Sequence, residues 1–240
     1  MNQKALLYNG KSKQIFATEG QNFVIMSYKD DETAYYGVKK STIPNKGALN
    51  NKISSLIFEY LEKNGIYTHF VEQLDENKQL CRRATSLPLE FIVRNVIAGT
   101  LSRRLDIEEG TVPESTIYEI CLKSDILRDP LINHYHVVAL GYAKEETLVE
   151  IRDTMQKINE LLSKLLKSIN IDLIDFKVEF GYDTEGKLML IDEISPDTAR
   201  FWDSESHEHL DRDLFRRDLG DIESAYKEVL TRLESALKNG

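Results

Sequence analysis

The sequence predicts a mixed α/β (α+β) fold of two lobes that pack tightly together. Its beginning is rich in β patterns separated by Asn-Gly and Glu-Gly turns. Later segments carry apolar residues at helical spacing, most clearly between Lys144 and Asn170. The β-rich part passes into mixed sequence near Pro88 without a Gly/Ser-rich linker. We therefore predict a β-rich lobe over residues 1–86 and a second lobe over residues 87–240.

The first elements are predicted to be two strands and a helix. Lys13 to Ala17 and Phe23 to Tyr28 each follow a glycine-containing turn and read as strands. From Asn50 to Lys63 apolar residues recur at helical spacing, and Asn64-Gly65 supplies a stop. A last helix is predicted from about Asp221 to Lys238.

Composition excludes several classes of protein. The 240 residues are 41% hydrophobic and 30% charged, as in an ordinary globular protein. The apolar runs are too short to span a bilayer and the first residues lead into no signal-peptide core, so we expect a cytoplasmic location without a membrane partner. A net charge of −9 without a basic block argues against a nucleic-acid partner. Cys81 and Cys121 lack CxxC spacing and are expected to be reduced and structural.

A charged face is predicted on the strand from Leu173 to Phe180. Asp175, Lys177 and Glu179 fall on one side, whereas the residues between them are apolar. This alternation is typical of a half-buried strand with a charged working face.

The run from Leu188 to Ile191 is predicted to return as a second strand after a turn centred on Glu185-Gly186. A symmetric hairpin about this centre places Glu179 directly opposite Asp192. Opposed carboxylates, with Cβ atoms about 4.5–5.5 Å apart, repel each other unless a cation lies between them. Two carboxylates suit Mg²⁺, which takes its other ligands from water and substrate phosphates. The alternative is a solvated hairpin whose charges face water.

Near the start, Lys11 and Lys13 follow a turn at Gly10, where both ammonium groups are able to reach phosphates beside the first hairpin. The segment is not a P-loop, because that pattern requires glycine where Ala5 stands and leads into a helix. The alternative is an exposed basic turn.

A phosphate site is also indicated around Arg94. The strand predicted from Leu89 to Asn95 runs into a predicted loop of small residues, 98–104, whose N–H groups and hydroxyls would form a nest for a monophosphate. The alternative is that Arg94 pairs with Glu90 or another carboxylate.

Residues 195–203 are predicted to form a shaped loop, because Pro196 cannot continue a regular strand ladder. Within it, Arg200 is a candidate for holding an anionic ligand. Phe201 and Trp202 are expected to pack rather than to stack on a substrate.

Four strings resemble the phosphoribosylaminoimidazole-succinocarboxamide synthase (SAICAR synthetase) family: GKSK, EFIVRNVIAGTLSRRLDIEEG, DFKVEFG and DEISPDTARFWD. The resemblance spans nearly the whole chain, and four strings in one order with ordinary intervals are specific. It implies a two-lobed fold with the nucleotide between the lobes and a C-terminal lobe that resembles ATP-grasp ligases.

By this resemblance the chain is an ATP-dependent carbon–nitrogen ligase of purine biosynthesis. Its substrates would be ATP, L-aspartate and CAIR, which is 5-amino-1-(5-phosphoribosyl)imidazole-4-carboxylate, and its products SAICAR, ADP and phosphate. Because a carboxylate is a poor electrophile, we expect an acyl phosphate intermediate. The resemblance also implies Mg²⁺ as cofactor and a homodimer.

The resemblance assigns Lys11 and Lys13 to the ATP phosphates. It assigns Glu179 and Asp192 to Mg²⁺ and the nucleotide, which agrees with the pair that the hairpin pattern indicates.

The remaining assignments concern the ribonucleotide and the chemistry. Arg94, Thr100 and Arg200 would hold the ribonucleotide phosphate and its surroundings. Asp175 and Lys177 would face the reacting groups and, with Glu179, form the catalytic set.

Two residues depart from the family pattern. Thr100 stands where many relatives have serine, which keeps the hydroxyl. Tyr36 stands where others have aspartate or asparagine, which removes a polar group from the substrate side of its loop. Two rival functions stay open: a kinase-like phosphotransferase, although HRD and DFG motifs are absent, and a nucleotide-binding module without catalysis.

Overall fold

The computed structural model describes residues 3–34 and 37–238, whose strands form two main sheets. In chain order the strands are β1 (Leu6–Asn9), β2 (Lys13–Ala17), β3 (Phe23–Tyr28), β4 (Asp31–Ala34), β5 (Lys39–Thr42), β6 (Phe70–Gln73), β7 (Lys78–Arg82), β8 (Thr85–Arg94), β9 (Ile117–Leu122), β10 (Leu131–Ile132), β11 (Ile171–Tyr182), β12 (Leu188–Ile191) and β13 (Ala199–Asp203). The helices are α1 (Lys46–Lys63), α2 (Gly99–Leu105), α3 (His134–Ala139), α4 (Glu145–Lys167), α5 (Asp213–Arg216) and α6 (Ile222–Lys238).

The N-terminal sheet is antiparallel, in the order β1-β2-β3-β7-β6, and β4 and β5 form a separate hairpin. The predicted strands β2 and β3 are confirmed with their predicted bounds. Between β7 and β8 the chain has only Arg83 and Ala84, so the two sheets follow each other without a linker.

The C-terminal sheet has the order β10-β9-β8-β11-β12, and β13 also pairs with β11. Strands β12 and β13 share one edge of β11, which is long enough to pair with each over a different part of its length. The segment 192–198 therefore leaves the sheet between them. Lys177 N donates to Thr198 O at 2.8 Å, which ties this segment to the middle of β11.

The predicted long helices are confirmed, with ends that differ by a few residues. The apolar stripe of α4 is buried at Ile151, Met155, Ile158 and Leu162 and packs on β11, as the helical spacing predicts. Helix α1 begins at Lys46, ahead of the predicted start. No helix in the described parts of the chain combines the length and apolarity that a membrane crossing requires.

Two local predictions are wrong. Residues 98–104 do not form a loop, because helix α2 begins at Gly99. Residues 199–203 form strand β13 rather than part of a loop. Pro196 does interrupt the ladder, but the chain rejoins the free edge of β11 three residues later, where backbone groups are available for pairing.

Candidate active site

A cavity of about 1370 Å³ lies between the two sheets and is lined by residues of both. All of the predicted site residues line it: Lys11, Lys13, Arg94, Thr100, Asp175, Lys177, Glu179, Asp192 and Arg200. The fold thus brings together side chains that are up to about two hundred residues apart in sequence. Tyr36 lies outside the described residues.

Lys177 is the centre of an acidic cluster. Its Nζ lies 2.9 Å from Glu90 Oε1, 3.3 Å from Glu179 Oε1 and 3.8 Å from Asp192 Oδ2. Glu90 and Glu179 are direct cross-strand neighbours on β8 and β11. Burial alone would lower the pKa of Lys177, but the three carboxylates raise it above its usual range. The group is a cation at neutral pH and offsets their mutual repulsion.

The predicted register of the carboxylate hairpin is wrong by one residue. Glu179 pairs with Ile191 rather than with Asp192. Asp183 N donates to Lys187 O at 3.0 Å, so the loop has three residues and ends on Gly186 with φ of 81°. A loop of this kind takes one residue more than a two-residue turn, which shifts the pairing. The carboxylates of Glu179 and Asp192 still converge, within 4 Å of the same Lys177 ammonium.

Two further lysines neutralise this cluster. Lys13 pairs with Asp192 and lies 2.8 Å from Glu193 Oε1. Lys123 lies 2.5 Å from Glu179 Oε2. Burial opposes ionisation of Asp192, but the ammonium groups nearby outweigh it and lower its pKa. Lys11 is exposed and pairs instead with Asp125 at 2.5 Å.

Arginines line the part of the cavity wall around Asp175, next to the Lys177 cluster on β11. Arg94 is buried and lies 2.7 Å from Glu119 and 2.8 Å from Asp175, with Nη2 3.5 Å from the Thr100 hydroxyl. It therefore pairs with carboxylates, as the alternative interpretation proposes, but not with Glu90. Arg200 lies 2.7 Å from the same Asp175 oxygen. Asp175 thus joins two guanidinium groups.

Gly99 makes room for Arg200. Its φ is +59°, and a Cβ on Gly99 would collide with the Arg200 guanidinium. Both the backbone conformation and the close approach require glycine at the start of α2.

A buried ionic network holds the segment 192–198 through Asp197. Lys46 is fully buried, with Nζ 2.8 Å from Glu32 and 2.7 Å from Asp197. Tyr226 donates to Asp197 at 2.7 Å, and Arg212 lies 2.5 Å from Glu32. The network joins β4, α1 and α6 to the segment that follows β12.

Sequence reasoning missed several lining residues that lie beside the predicted ones. They are Glu90, Lys123, Glu193, Asp197, Arg212 and Arg216. Period-two alternation back from Arg94 along β8 leads to Glu90, so a signal for that residue was present. Glu193 and Asp197 lie in the string DEISPDTARFWD beside Asp192, so that string was a signal for them. Lys123, Arg212 and Arg216 enter from segments for which spacing gives no signal.

One group outside the Lys177 cluster also brings potential metal ligands together. Atoms of His209, Asp211 and Asp213 lie within 4.8 Å of one another. Asp211, however, accepts from Phe201 N at 3.0 Å, and Asp213 is paired with Arg200 at 2.8 Å. These carboxylates are already engaged by donors, and the guanidinium beside them disfavours a cation.

The Glu179 and Asp192 pair fits Mg²⁺ better. Both offer hard oxygen atoms at a cavity wall, and the lysines that neutralise them carry ammonium groups suited to phosphates. A magnesium ion bound with a nucleotide needs only one or two protein carboxylates, so a third ligand in tight proximity is not required.

A cleft between two sheets that is lined by lysines paired with carboxylates and by arginines is typical of enzymes that bind anionic ligands such as nucleotides. The chain belongs to the SAICAR synthetase family, whose family model matches residues 6–233. It is therefore an ATP-dependent ligase, which decides against both rival functions.

Individual relatives match this chain over nearly their whole length. The chain is 52% identical to a phosphoribosylaminoimidazole-succinocarboxamide synthase of Fusobacterium nucleatum, over 97% of this chain and 98% of the relative. It is similar to the crystal structure of the synthase from Ehrlichia chaffeensis, with a TM-score of 0.94, 40% identity and coverage of 96% and 98%. A SAICAR synthetase solved in complex with ADP has a TM-score of 0.92, 42% identity and coverage of 95% and 97%. The predicted fold and family are confirmed.

Proposed function

We propose that the cavity joins the carboxylate of CAIR to the amine of L-aspartate at the expense of ATP, giving SAICAR, ADP and phosphate in purine biosynthesis. Membership of the family over residues 6–233 is the observation that carries this proposal. The cavity has two cationic parts, the Lys177 cluster and the arginines around Asp175. They support the proposal, because the reaction must hold two phosphorylated ligands with their reacting ends together.

The proposed reaction has two steps. An oxygen of the CAIR carboxylate attacks the γ-phosphorus of ATP, and the bond from that phosphorus to the bridging oxygen of ADP breaks. The aspartate amine then attacks the acyl carbon, phosphate leaves with the transferred oxygen, and the amine loses a proton. Phosphoryl transfer of this kind depends mainly on positioning and on electrostatic stabilisation.

We assign the Lys177 side of the cavity to ATP. Lys11 and Lys13 would hold its phosphates, and Glu179 and Asp192 would hold Mg²⁺. When bound, Mg²⁺ offsets negative charge on the phosphates. Lys13 would turn from Asp192 to phosphate oxygens when Asp192 holds the cation. Lys177 is held as a cation by its neighbours, so we propose that it stabilises charge rather than acting as a general base.

We assign the arginine side to the ribonucleotide. The surroundings of its phosphate would be formed by Arg94, Thr100 and Arg200. Arg94 would act partly through Glu119 and Asp175, the carboxylates that pair with it. Asp175 would keep the two guanidinium groups in place and, with Lys177 and Glu179, border the reacting carboxylate. Support comes from the distances of 2.8 Å and 2.7 Å that join Asp175 to Arg94 and Arg200.

The assay that tests the proposed function follows ADP release by the purified chain. CAIR and aspartate are supplied with ATP and Mg²⁺, first separately and then together. Sustained release is expected only with both, since each substrate supplies one half of the new bond. Release that needs neither substrate, or that continues with CAIR alone, would contradict ligation.

Gly99→Ala is expected to raise KM for CAIR by about tenfold or more, because the added Cβ displaces the Arg200 guanidinium and strains the backbone. Steady-state kinetics with varied CAIR measure this effect. Gly20→Ala is the matched control, since a Cβ there meets nothing within 4 Å. An unchanged KM for CAIR in Gly99→Ala would count against the role of Arg200.

The lobe boundary, the cellular location and the oligomeric state stay proposals. The lobe division at residues 1–86 and 87–240 is supported by the two sheets, although β8 of the second sheet begins at Thr85. A cytoplasmic location is the expectation for a biosynthetic ligase. A homodimer would sediment at twice the mass of the 27.6-kDa chain, and sedimentation at the single-chain mass would reject it.

A further inference from the structure

The Arg200 guanidinium is held by two carboxylates that bind different nitrogen atoms. Its Nε donates to Asp213 Oδ2 at 2.8 Å, and its Nη1 donates to Asp175 Oδ2 at 2.7 Å. Its Nη2 lies against Gly99, at the place that a Cβ on Gly99 would take. Hydrogen bonds from two different nitrogens fix the orientation of a planar guanidinium, whereas a single bond leaves it free to turn.

This arrangement decides which N–H groups of Arg200 are available to a ligand. A guanidinium carries five N–H groups, and Asp213 and Asp175 each accept from one of them. The others, on Nη1 and Nη2, make no hydrogen bond to the described part of the chain. Arg200 lines the cavity and its side chain is only 14% exposed, so these N–H groups are the ones that an anionic ligand in the cavity would meet.

Asp213 is itself fixed by contacts that lead back to β13. It is buried at the start of α5, and its backbone N donates to Asp211 Oδ1 at 2.8 Å. The other oxygen of Asp211 accepts from Phe201 N at 3.0 Å, next to Arg200 in β13. Leu210 N also donates to Phe201 O at 2.8 Å. These bonds set the position of the Asp213 carboxylate relative to the Arg200 side chain.

We propose that Asp213 is a positioning residue for the ribonucleotide: it orients Arg200 so that the remaining N–H groups of the guanidinium face the anionic group of that ligand. This inference rests on the proposed function, which assigns Arg200 to the ribonucleotide. Asp213 acts through Arg200 and not by contact with the ligand, since its second oxygen accepts from Arg216 Nη1 at 2.7 Å. A displaced guanidinium loses hydrogen bonds to the ligand even though its charge remains.

Two substitutions separate the orientation of Arg200 from the neutralisation of its charge. Asp213→Asn keeps the size of the side chain but removes its charge, whereas Asp213→Glu keeps the charge but displaces the carboxylate by one methylene. Both are expected to raise KM for CAIR by about tenfold and to leave kcat and KM for ATP within about twofold of wild type. Asp218→Asn is the matched control and should keep all three constants, because Asp218 is exposed and pairs with Lys39.

A double-substitution cycle tests whether Asp213 acts through Arg200. Steady-state kinetics with varied CAIR give KM for the wild type, for Arg200→Gln, for Asp213→Asn and for the double variant. Arg200→Gln alone is expected to raise KM for CAIR by about tenfold or more. In the Arg200→Gln chain, Asp213→Asn should change this KM by less than about twofold, because no guanidinium is left for Asp213 to orient.

Effects that multiply in the double variant, or a wild-type KM for CAIR in Asp213→Glu, would overturn the proposal. Asp213→Glu decides the matter if Asp213→Asn does not fold, and the melting temperature of each variant shows whether it is folded. An unchanged KM for CAIR in Arg200→Gln would overturn the assignment of Arg200 and this inference with it. A wild-type chain without CAIR-dependent ADP release would overturn the proposed function itself, and is distinguishable because it precedes any substitution.

Discussion

Glu179→Gln is expected to lower kcat by about 10²–10³-fold, the loss typical of removing one electrostatic contact to a transition state. The amide keeps the size of the side chain but cannot neutralise a divalent cation. The change also leaves Lys177 and Lys123 with a neutral neighbour, so charge around the phosphates is redistributed. Steady-state rates of ADP release at saturating ATP, CAIR and aspartate measure the effect.

Folding should survive this substitution. Glu179 faces Glu90 across the strands, so removing one negative charge relieves repulsion while it removes attraction to the lysines. Glu185→Gln, at the exposed tip of the same hairpin, is the matched control and should keep wild-type kcat. Near-normal turnover of Glu179→Gln with an unchanged melting temperature would refute the metal role of Glu179.

Lys46→Met is expected to lower the free energy of unfolding by about 3–5 kcal/mol at pH 7, because it leaves Glu32 and Asp197 buried without their shared cation. Urea unfolding followed by circular dichroism measures the change. Lys52→Met is the matched control on the same helix. Lys52 is partly exposed and pairs with Glu234 at 2.6 Å, so its loss should cost less than about 1 kcal/mol.

The effect of Lys46→Met should depend on pH. Burial opposes ionisation of Asp197, but Lys46 and Arg212 outweigh it and lower its pKa below the ordinary value. A lowered folded-state pKa contributes stability that is present above the unfolded value, about 3.9, and is lost as pH falls below it. The difference in the free energy of unfolding between wild type and Lys46→Met should therefore be largest at pH 7 and decrease below about pH 4. A difference that grows on acidification would contradict this explanation.

Local patterns predicted the elements whose structure is set locally. Strands β2, β3 and β12 follow from β-type runs that begin after glycine-containing turns, and the stripe of α4 follows from helical spacing, because its apolar face must be buried. The register of the β11–β12 hairpin was not predictable from its turn signal alone. Gly186 permits either a two-residue or a three-residue loop, and the difference moves every pair by one residue.

Site residues within the family strings were predictable from the sequence. Contacts between segments that are distant in sequence were not. Period-two alternation placed Asp175, Lys177 and Glu179 on one face of a strand, and that face lines the cavity. It gave no sign that Lys46 is fully buried, since a lysine is almost never buried unless its partners come from elsewhere in the chain. Those partners, Glu32 and Asp197, are contributed by a separate hairpin and by the segment after β12.

The proposed reaction depends most on where the divalent cation binds. A crystal of the chain grown with ADP and Mn²⁺, examined by anomalous scattering of manganese, tests this directly. We predict an anomalous peak in contact with carboxylate oxygens of Glu179 and Asp192 and with an ADP phosphate. A peak at His209, Asp211 and Asp213, or a nucleotide bound away from Lys13 and Lys177, would contradict the proposed metal site.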